Sequence, residues 1–377
     1  MNASNNIITV FIFTLIFPIS IFGLRINDLS LLMVLALIPF IFNQLSFKKN
    51  INNFLLVSIS LSTICLYLLA IYNDFDLANL DGFENQVGKA LSWLILDRDI
   101  GSFFSAGNSY RNSLIYFRYI LIPLYFFVGW WFFKNKKNPV ESILNIFIIA
   151  SLLHLLLSLY GYATQGGRQS GMFNNPAELS IIGLMLLLFS KYSENRYKKI
   201  LGYVISLILI LLSFTFSAFL ALFGFVLLSK IKALKVRLFF PFVIIISYLL
   251  ATDISSIVSS EISKYLYVGS LMNRFNLWVV FKDIFSQDIG LYFMGFGSFP
   301  VFADNIFWYL MSGLGFSGWL ILLYLYKISY RNEIISSLIV FVILQGVLFP
   351  GLIMPYFISL LFFIIGFFYF WEGCNVR

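Results

Sequence analysis

The chain is poor in charge, in histidine and in cysteine. Only 11% of its 377 residues are Asp, Glu, Lys or Arg, against 60% hydrophobic, a balance that excludes a soluble globular protein. The single histidine, His154, lies within an apolar run, so no Ser/His/Asp set and no Cys/His metal cluster can be assembled. Cys65 falls in an apolar run and Cys374 in the C-terminal tail, which leaves no disulfide framework. There is no soluble domain, low-complexity tract or internal repeat, and the basic connectors are too short for a nucleotide-binding domain.

Apolar length is what the chain has in excess. It contains 45 Phe, and its mean hydropathy is +0.91. Runs such as Phe54–Tyr72, Ser113–Phe133 and Ser142–Ala163 reach the ~20 residues that cross a ~30 Å hydrocarbon core. The expectation is an all-α polytopic membrane protein, a single integral membrane domain over residues 1–377. Its first run, Ile7–Leu24, follows an uncharged N-terminus and has no small-residue cleavage site, so it reads as a retained helix.

Charge sets the sidedness. Placing the basic clusters inside gives twelve spans, with Lys48, Lys49, Lys134, Lys191, Lys198, Lys327 and Arg331 among 16 of the 25 basic residues there. Only Glu141, Glu194, Glu333 and Glu372 accompany them. The formal charge of +8 is therefore topology, not a nucleic-acid footprint. Ile200–Ser229 has basic clusters at both ends, so it reads as a hairpin of two short helices turning near Ser213–Ser217. Such a turn stops short of the outer surface and needs protein or a water-filled cavity around it.

The outer side then carries three loops. Residues 73–112 are acidic, 164–175 are short and glycine-rich, and 252–305 are longest. Within the last, Leu271, Phe275, Trp278, Val279 and Phe281 recur at helical spacing and suit a helix at the membrane interface. "DFD" (Asp74–Asp76) and "DRD" (Asp97–Asp99) are discounted as nucleotide-sugar motifs, because an acidic outer loop makes chance DxD strings common.

The short loop, "QGGRQSGMFNNPAELS", concentrates the polar chemistry. Arg168 follows two glycines and precedes Gly171, residues that let backbone approach a ligand. Asn175 suits an N-cap, Pro176 the first helical position, and Glu178 the first turn. An arginine beside a helix N-terminus makes an anion site, or else an interface anchor on a capped helix. Arg274 in "NRFNLW" is a second outer arginine, suited either to bidentate phosphate contact or to a solvated surface. Asp304, before Asn305, fits either a general base or a helix cap. Arg118, six residues into its span, either snorkels outward or lines a cavity. His154, an intramembrane ionisable group, fits either a functional residue or, the commoner case, a neutral histidine bonded to a neighbouring helix. Gly313, Gly315 and Gly318 spell GxGxxG without a preceding strand, and small residues there serve helix packing.

Three of these segments in order resemble the O-antigen polymerase and ligase superfamily of bacterial envelope polysaccharide assembly. They are "GRQSGMFNNPAELS", "NRFNLW…GLYFMGFGSF" and "DNIFWYLMSGLGFSGWLILLY", spanning residues 166 to about 326. Two departures stand out: Asp304 replaces the histidine usual in the ligases, and Ser217–Ala218 replaces a Ser-Arg pair in the hairpin turn. The first favours the Wzy-type repeat-unit polymerase over the ligase. The resemblance implies a GT-C-like glycosyltransferase in the bacterial inner membrane, active on its periplasmic face. Donor and acceptor would be glycans on undecaprenyl pyrophosphate, with membrane lipid and a chain-length regulator protein as partners. No nucleic acid, cofactor or metal enters. By this resemblance Arg168, Arg274 and Arg118 bind pyrophosphate, and Asp304 or Glu178 is the base. Asn175, Asn305 and Gly171 support them. A ligase moving finished polymer and a lipid-oligosaccharide flippase are the rival readings.

Overall fold

The computed structural model describes residues 2–17, 20–21, 24–42, 51–73, 110–135, 138–173, 175–228, 241, 244–249, 251, 278–279, 281–286, 289–295, 305–349 and 351–369. Among them the chain is helical apart from one antiparallel ladder, Ser20–Ile21 with Leu24–Arg25. The helices are α1 (Asn2–Ile16), α2 (Ile26–Phe42), α3 (Ile51–Asn73), α4 (Tyr110–Ile120), α5 (Ile122–Asn135) and α6 (Pro139–Gln165). There follow α7 (Pro176–Lys191), α8 (Arg196–Ser213), α9 (Phe216–Leu228) and the four-residue α10 (Leu291–Met294). The last are α11 (Ile306–Ile328), α12 (Glu333–Gly346), a 3₁₀ turn at Gly351–Ile353, and α13 (Pro355–Tyr369).

Among the described residues two helices, α6 and α11, are long and apolar enough to cross a membrane, and α4 with α5 makes a third if that bent pair is one span. The chain is a helical membrane protein by this measure. Two expectations need correction. The first apolar run does not continue as helix to Leu24: α1 ends at Ile16, just before Pro18, which has no N–H to extend the ladder. The run Ser113–Phe133 is not one straight helix but bends by 49° at Leu121. Pro123 cannot donate to the carbonyl four residues back, and Leu124 N–H shifts to Leu121 O at 2.9 Å. The Ile120 carbonyl so released accepts from Ser60 Oγ of α3.

Small residues bring the helices close. A Cβ on Gly129 of α5 would overlap the Phe363 carbonyl of α13, and one on Gly366 would overlap the Phe126 carbonyl. The two backbones therefore touch where lipid tails supply no hydrophobic drive for association. Ser206 Oγ of α8 donates to Gly183 O of α7 at 2.7 Å, and Ser62 of α3 meets Ser317 of α11 at 2.8 Å. Helix α13 is buried nearly all round, including Phe357, Ile358, Leu361, Phe363 and Phe367, as expected of a central element.

The hairpin expected over Ile200–Ser229 is present. Helix α8 turns into α9 through Phe214, whose φ of 42° is the one positive value of a non-glycine residue among the described residues. At 18 and 13 residues, the arms rise about 27 and 20 Å.

Contacts sort the helix termini into two ends. At one, Glu141 at the start of α6 pairs with Lys198 at 3.5 Å, Lys191 lies over the Phe225 ring of α9, and Arg331 Nε donates to Tyr369 O at 3.0 Å. At the other end lie the loop after α6, the α8–α9 turn, the start of α11 and the turn between α12 and α13. Among the described residues Lys191, Lys198 and Lys327 gather at the first end, the lysine end, whereas Arg168 stands at the second, as does Lys282 of the segment packed over the start of α11.

Candidate active site at the end opposite the lysines

Helix α6 stops at Gly166, whose N–H still reaches Tyr162 O at 2.9 Å while its own φ is 66°. Gly167 (φ 70°) and Gly171 (φ 60°) complete a left-handed turn that side chains resist. Gln169 then ties the loop on two sides. Its N–H donates to Leu212 O on the hairpin tip at 2.9 Å, and its Nε2 donates back to Gly166 O at 2.9 Å. Its side chain is buried, whereas the neighbouring Arg168 is exposed. Arg168 Nε donates to Ser213 O at 3.4 Å. The arginine thus projects from a loop whose backbone is fixed between α6 and the hairpin.

The loop ends in a capped helix, as its sequence predicts. Asn175 Oδ1 accepts from Ala177 N at 2.9 Å, with Pro176 at the first helical position. Glu178 lies half-buried in the first turn. The α7 N-terminus therefore faces the end on which Arg168 stands, favouring an anion there through its dipole.

Below this loop lies a segment that sequence reasoning missed, the turn 347–354. Among its described residues Leu348, Phe349, Leu352 and Ile353 are each at most 5% exposed. Its carbonyls, and that of Pro355 just after it, receive donors from other helices. Asn305 Nδ2 donates to Val347 O at 3.1 Å, Tyr119 OH to Ile353 O at 2.7 Å, and Arg118 Nη1 to Pro355 O at 3.0 Å. The signal was in the sequence: Gly346, Pro350, Gly351 and Pro355 punctuate an apolar stretch too short to span on each side.

Arg118 does not snorkel; it is 4% exposed. A buried arginine costs about 2.5–3.5 kcal/mol at mid-membrane. One charge-assisted hydrogen bond returns about 1.5–3 kcal/mol, so the carbonyl offsets most of that cost. Its neighbour Tyr116 donates to Gly313 O at 3.2 Å. The same helix α4 thereby serves a second break, the non-helical Gly315 (φ 46°, ψ −120°) inside α11.

That break explains the GxGxxG string. A Cβ at Gly315 would overlap the Phe293 carbonyl of α10, and Gly295 lies against the same kink, where a Cβ would come within 3.2 Å of Gly315 N. The second and third motifs of the sequence reading are thus packed on each other. Asn305 caps α11 through Phe307 N (2.8 Å) and Trp308 N (3.3 Å), and its Nδ2 also reaches Ser247 Oγ at 2.9 Å. The expected interface helix differs from its prediction over 278–279 and 281–286. Trp278, Phe281, Ile284 and Phe285 are buried, and the rings of Phe281 and Phe285 lie 6.5 and 5.8 Å from Trp308. Its aromatic face covers the start of α11 rather than facing lipid. Asp304 and Arg274 lie outside the described residues, as do the DxD strings.

The structure brings the Arg168 loop and the Arg118 turn into one packed body. Phe173 meets Phe357 at 5.6 Å, and Gln345 Nε2 donates to Ser180 Oγ at 3.3 Å. Among the described residues no group of three or more His, Cys, Asp or Glu is placed to hold a metal ion. Comparison of the chain with protein-family models, with curated proteins and with solved structures finds no match.

Proposed function

We propose that this protein is a membrane glycosyltransferase that polymerises undecaprenyl-pyrophosphate-linked repeat units into O-antigen or capsular polysaccharide. In this reading it has twelve spans, a GT-C-like architecture and a periplasmic active site in the inner membrane. The observation that carries it is Arg168. It is an exposed cation on a backbone-locked, three-glycine loop, beside a capped helix N-terminus and at the end opposite the lysines.

The acceptor sugar hydroxyl attacks the donor's anomeric carbon. The bond from that carbon to the pyrophosphate oxygen breaks, and its electron pair leaves with the pyrophosphate. Arg168, Arg274 and the α7 dipole stabilise the charge that develops there. The hydroxyl proton passes to a carboxylate, Asp304 first and Glu178 second. Arg118, engaged by Pro355 O, acts on the site through the turn it holds.

Deleting the gene in its own strain and separating envelope polysaccharide on a gel tests this directly. The expected result is a single-repeat band in place of the ladder, restored by the wild type and not by Arg168→Ala inserted at equal level. A near-normal ladder with Arg168→Ala overturns the assignment. Loss of every surface repeat, with single units stranded on the carrier, would instead indicate a flippase, and stranded polymer a ligase.

A further inference from the structure

We propose that His154 is a positioning residue for Arg168, fixing the loop that carries it. Only the purpose of that positioning rests on the glycosyl-transfer reading; the positioning itself is read from contacts. His154 lies on the buried face of α6. Its ring is stacked between Phe17, just past α1, and Phe173 of the loop, with centroids 5.3 and 4.8 Å away and planes within 7° and 4°. Nδ1 accepts from Met172 N at 3.3 Å. An accepting Nδ1 places the ring hydrogen on Nε2, which faces the Ile16 carbonyl without reaching hydrogen-bond geometry. Gly171 lies at the Nδ1 edge of the same ring, where a Cβ would come within 3.0 Å of Nδ1.

Three consecutive loop residues, Gly171, Met172 and Phe173, are thus referenced to one side chain, while Gln169 N references the loop to the hairpin tip. Arg168 stands just outside the span these two anchors define. A leucine would fill the volume and a phenylalanine would keep the stack, but neither offers an acceptor to Met172 N–H. An asparagine places an oxygen near the Nδ1 position without the ring. The role therefore separates into two chemical parts that can be removed one at a time.

The test uses the full chain in its own membrane, with Cys65→Ser and Cys374→Ser, and a membrane-impermeant maleimide reacting at Ser170→Cys. His154→Phe is expected to raise the labelling rate about fivefold or more, the population shift that losing one hydrogen bond produces. His154→Asn is expected to stay within about twofold of the parent, with protein level and detergent unfolding temperature unchanged in both. A His154→Phe rate within twofold of the parent overturns the proposal, as does equal loosening by Asn. If His154→Phe fails to insert, Gly171→Ala forces the loop off an intact ring and must raise the rate alike; an unchanged rate there also overturns it. The glycan ladder from the same cells is read separately. Raised labelling with a ladder indifferent to Arg168 would leave the positioning standing and remove the glycosyl-transfer reading.

Discussion

The connection between α7 and α8 and that between α12 and α13 are both tight turns, yet they are held by opposite means. At the lysine end, Glu194 and Asn195 are exposed and one carboxylate gathers the turn. Glu141 accepts from Ser193 Oγ at 2.6 Å, Glu194 N at 3.0 Å and Asn195 N at 3.4 Å. At the other end the turn is buried, and Asn305 at the start of α11 together with Tyr119 and Arg118 of α4 bring donors to its carbonyls and to that of Pro355 just after it. Water can replace the partner of the exposed Glu194 and Asn195 N–H groups at the first turn, and no lost partner at the second. Irregular backbone at membrane depth persists only where protein satisfies it, so the polar residues of α4 and α11 mark where the helices break.

The sharpest way to break this comparison is to refill one of the breaks. Gly315→Ala places a Cβ against the Phe293 carbonyl at a φ of 46°. A φ of 46° with ψ −120° is a glycine conformation that costs an L-residue about 1–3 kcal/mol by itself, and the overlap has only backbone to move. A loss of about 3 kcal/mol or more is expected, seen as a large fall in folded, monodisperse protein after detergent extraction. Extraction equal to the parent would show that α10 does not rest on the kink.

Arg118→Met sharpens the contrast at smaller cost. It keeps the apolar stem and leaves Pro355 O without this donor, for about 1.5–3 kcal/mol, measured as the fall in unfolding temperature in detergent. Arg118→Lys should recover part of that loss, since it keeps the charge and not the fork. An unchanged unfolding temperature with methionine would mean that the Pro355 carbonyl needs no donor.

What was legible in the sequence follows the same division. The capped start of α7 could be read because Asn175 and Pro176 act locally, within one turn of chain. The α8–α9 hairpin could be read because lysines at both ends forbid a single span. The bend at Leu121 and the kink at Gly315 could not be placed, although Pro123 and the glycines were in view. A break depends on which neighbouring helix supplies the donor, and Ser60 and Tyr116 lie far away in sequence. The aromatic face over 278–286 was read correctly as a face and wrongly as lipid-directed. Periodicity reports that a side is apolar and not what covers it. His154 was read as a residue bonded within the bundle, but its partner is the loop carrying Arg168, eighteen residues along the chain from His154 to Met172.

The smallest effect belongs at the lysine end. Glu141→Gln removes the charge facing Lys198, yet the amide oxygen can still accept from Ser193 Oγ and the two backbone N–H groups. Lys198 is 35% exposed and Glu141 19%, so the ion pair is screened by water and salt and contributes about 0–1 kcal/mol. The expected fall in unfolding temperature is barely measurable, and what there is should vanish at high salt. Glu141→Ala should cost more, because three donors then lose their acceptor together, though water replaces it for the exposed ones. The ratio between the alanine and glutamine losses therefore measures geometry against charge at this end. A glutamine loss as large as that of Arg118→Met would show that the two turns are held alike, and the contrast between the ends would fall.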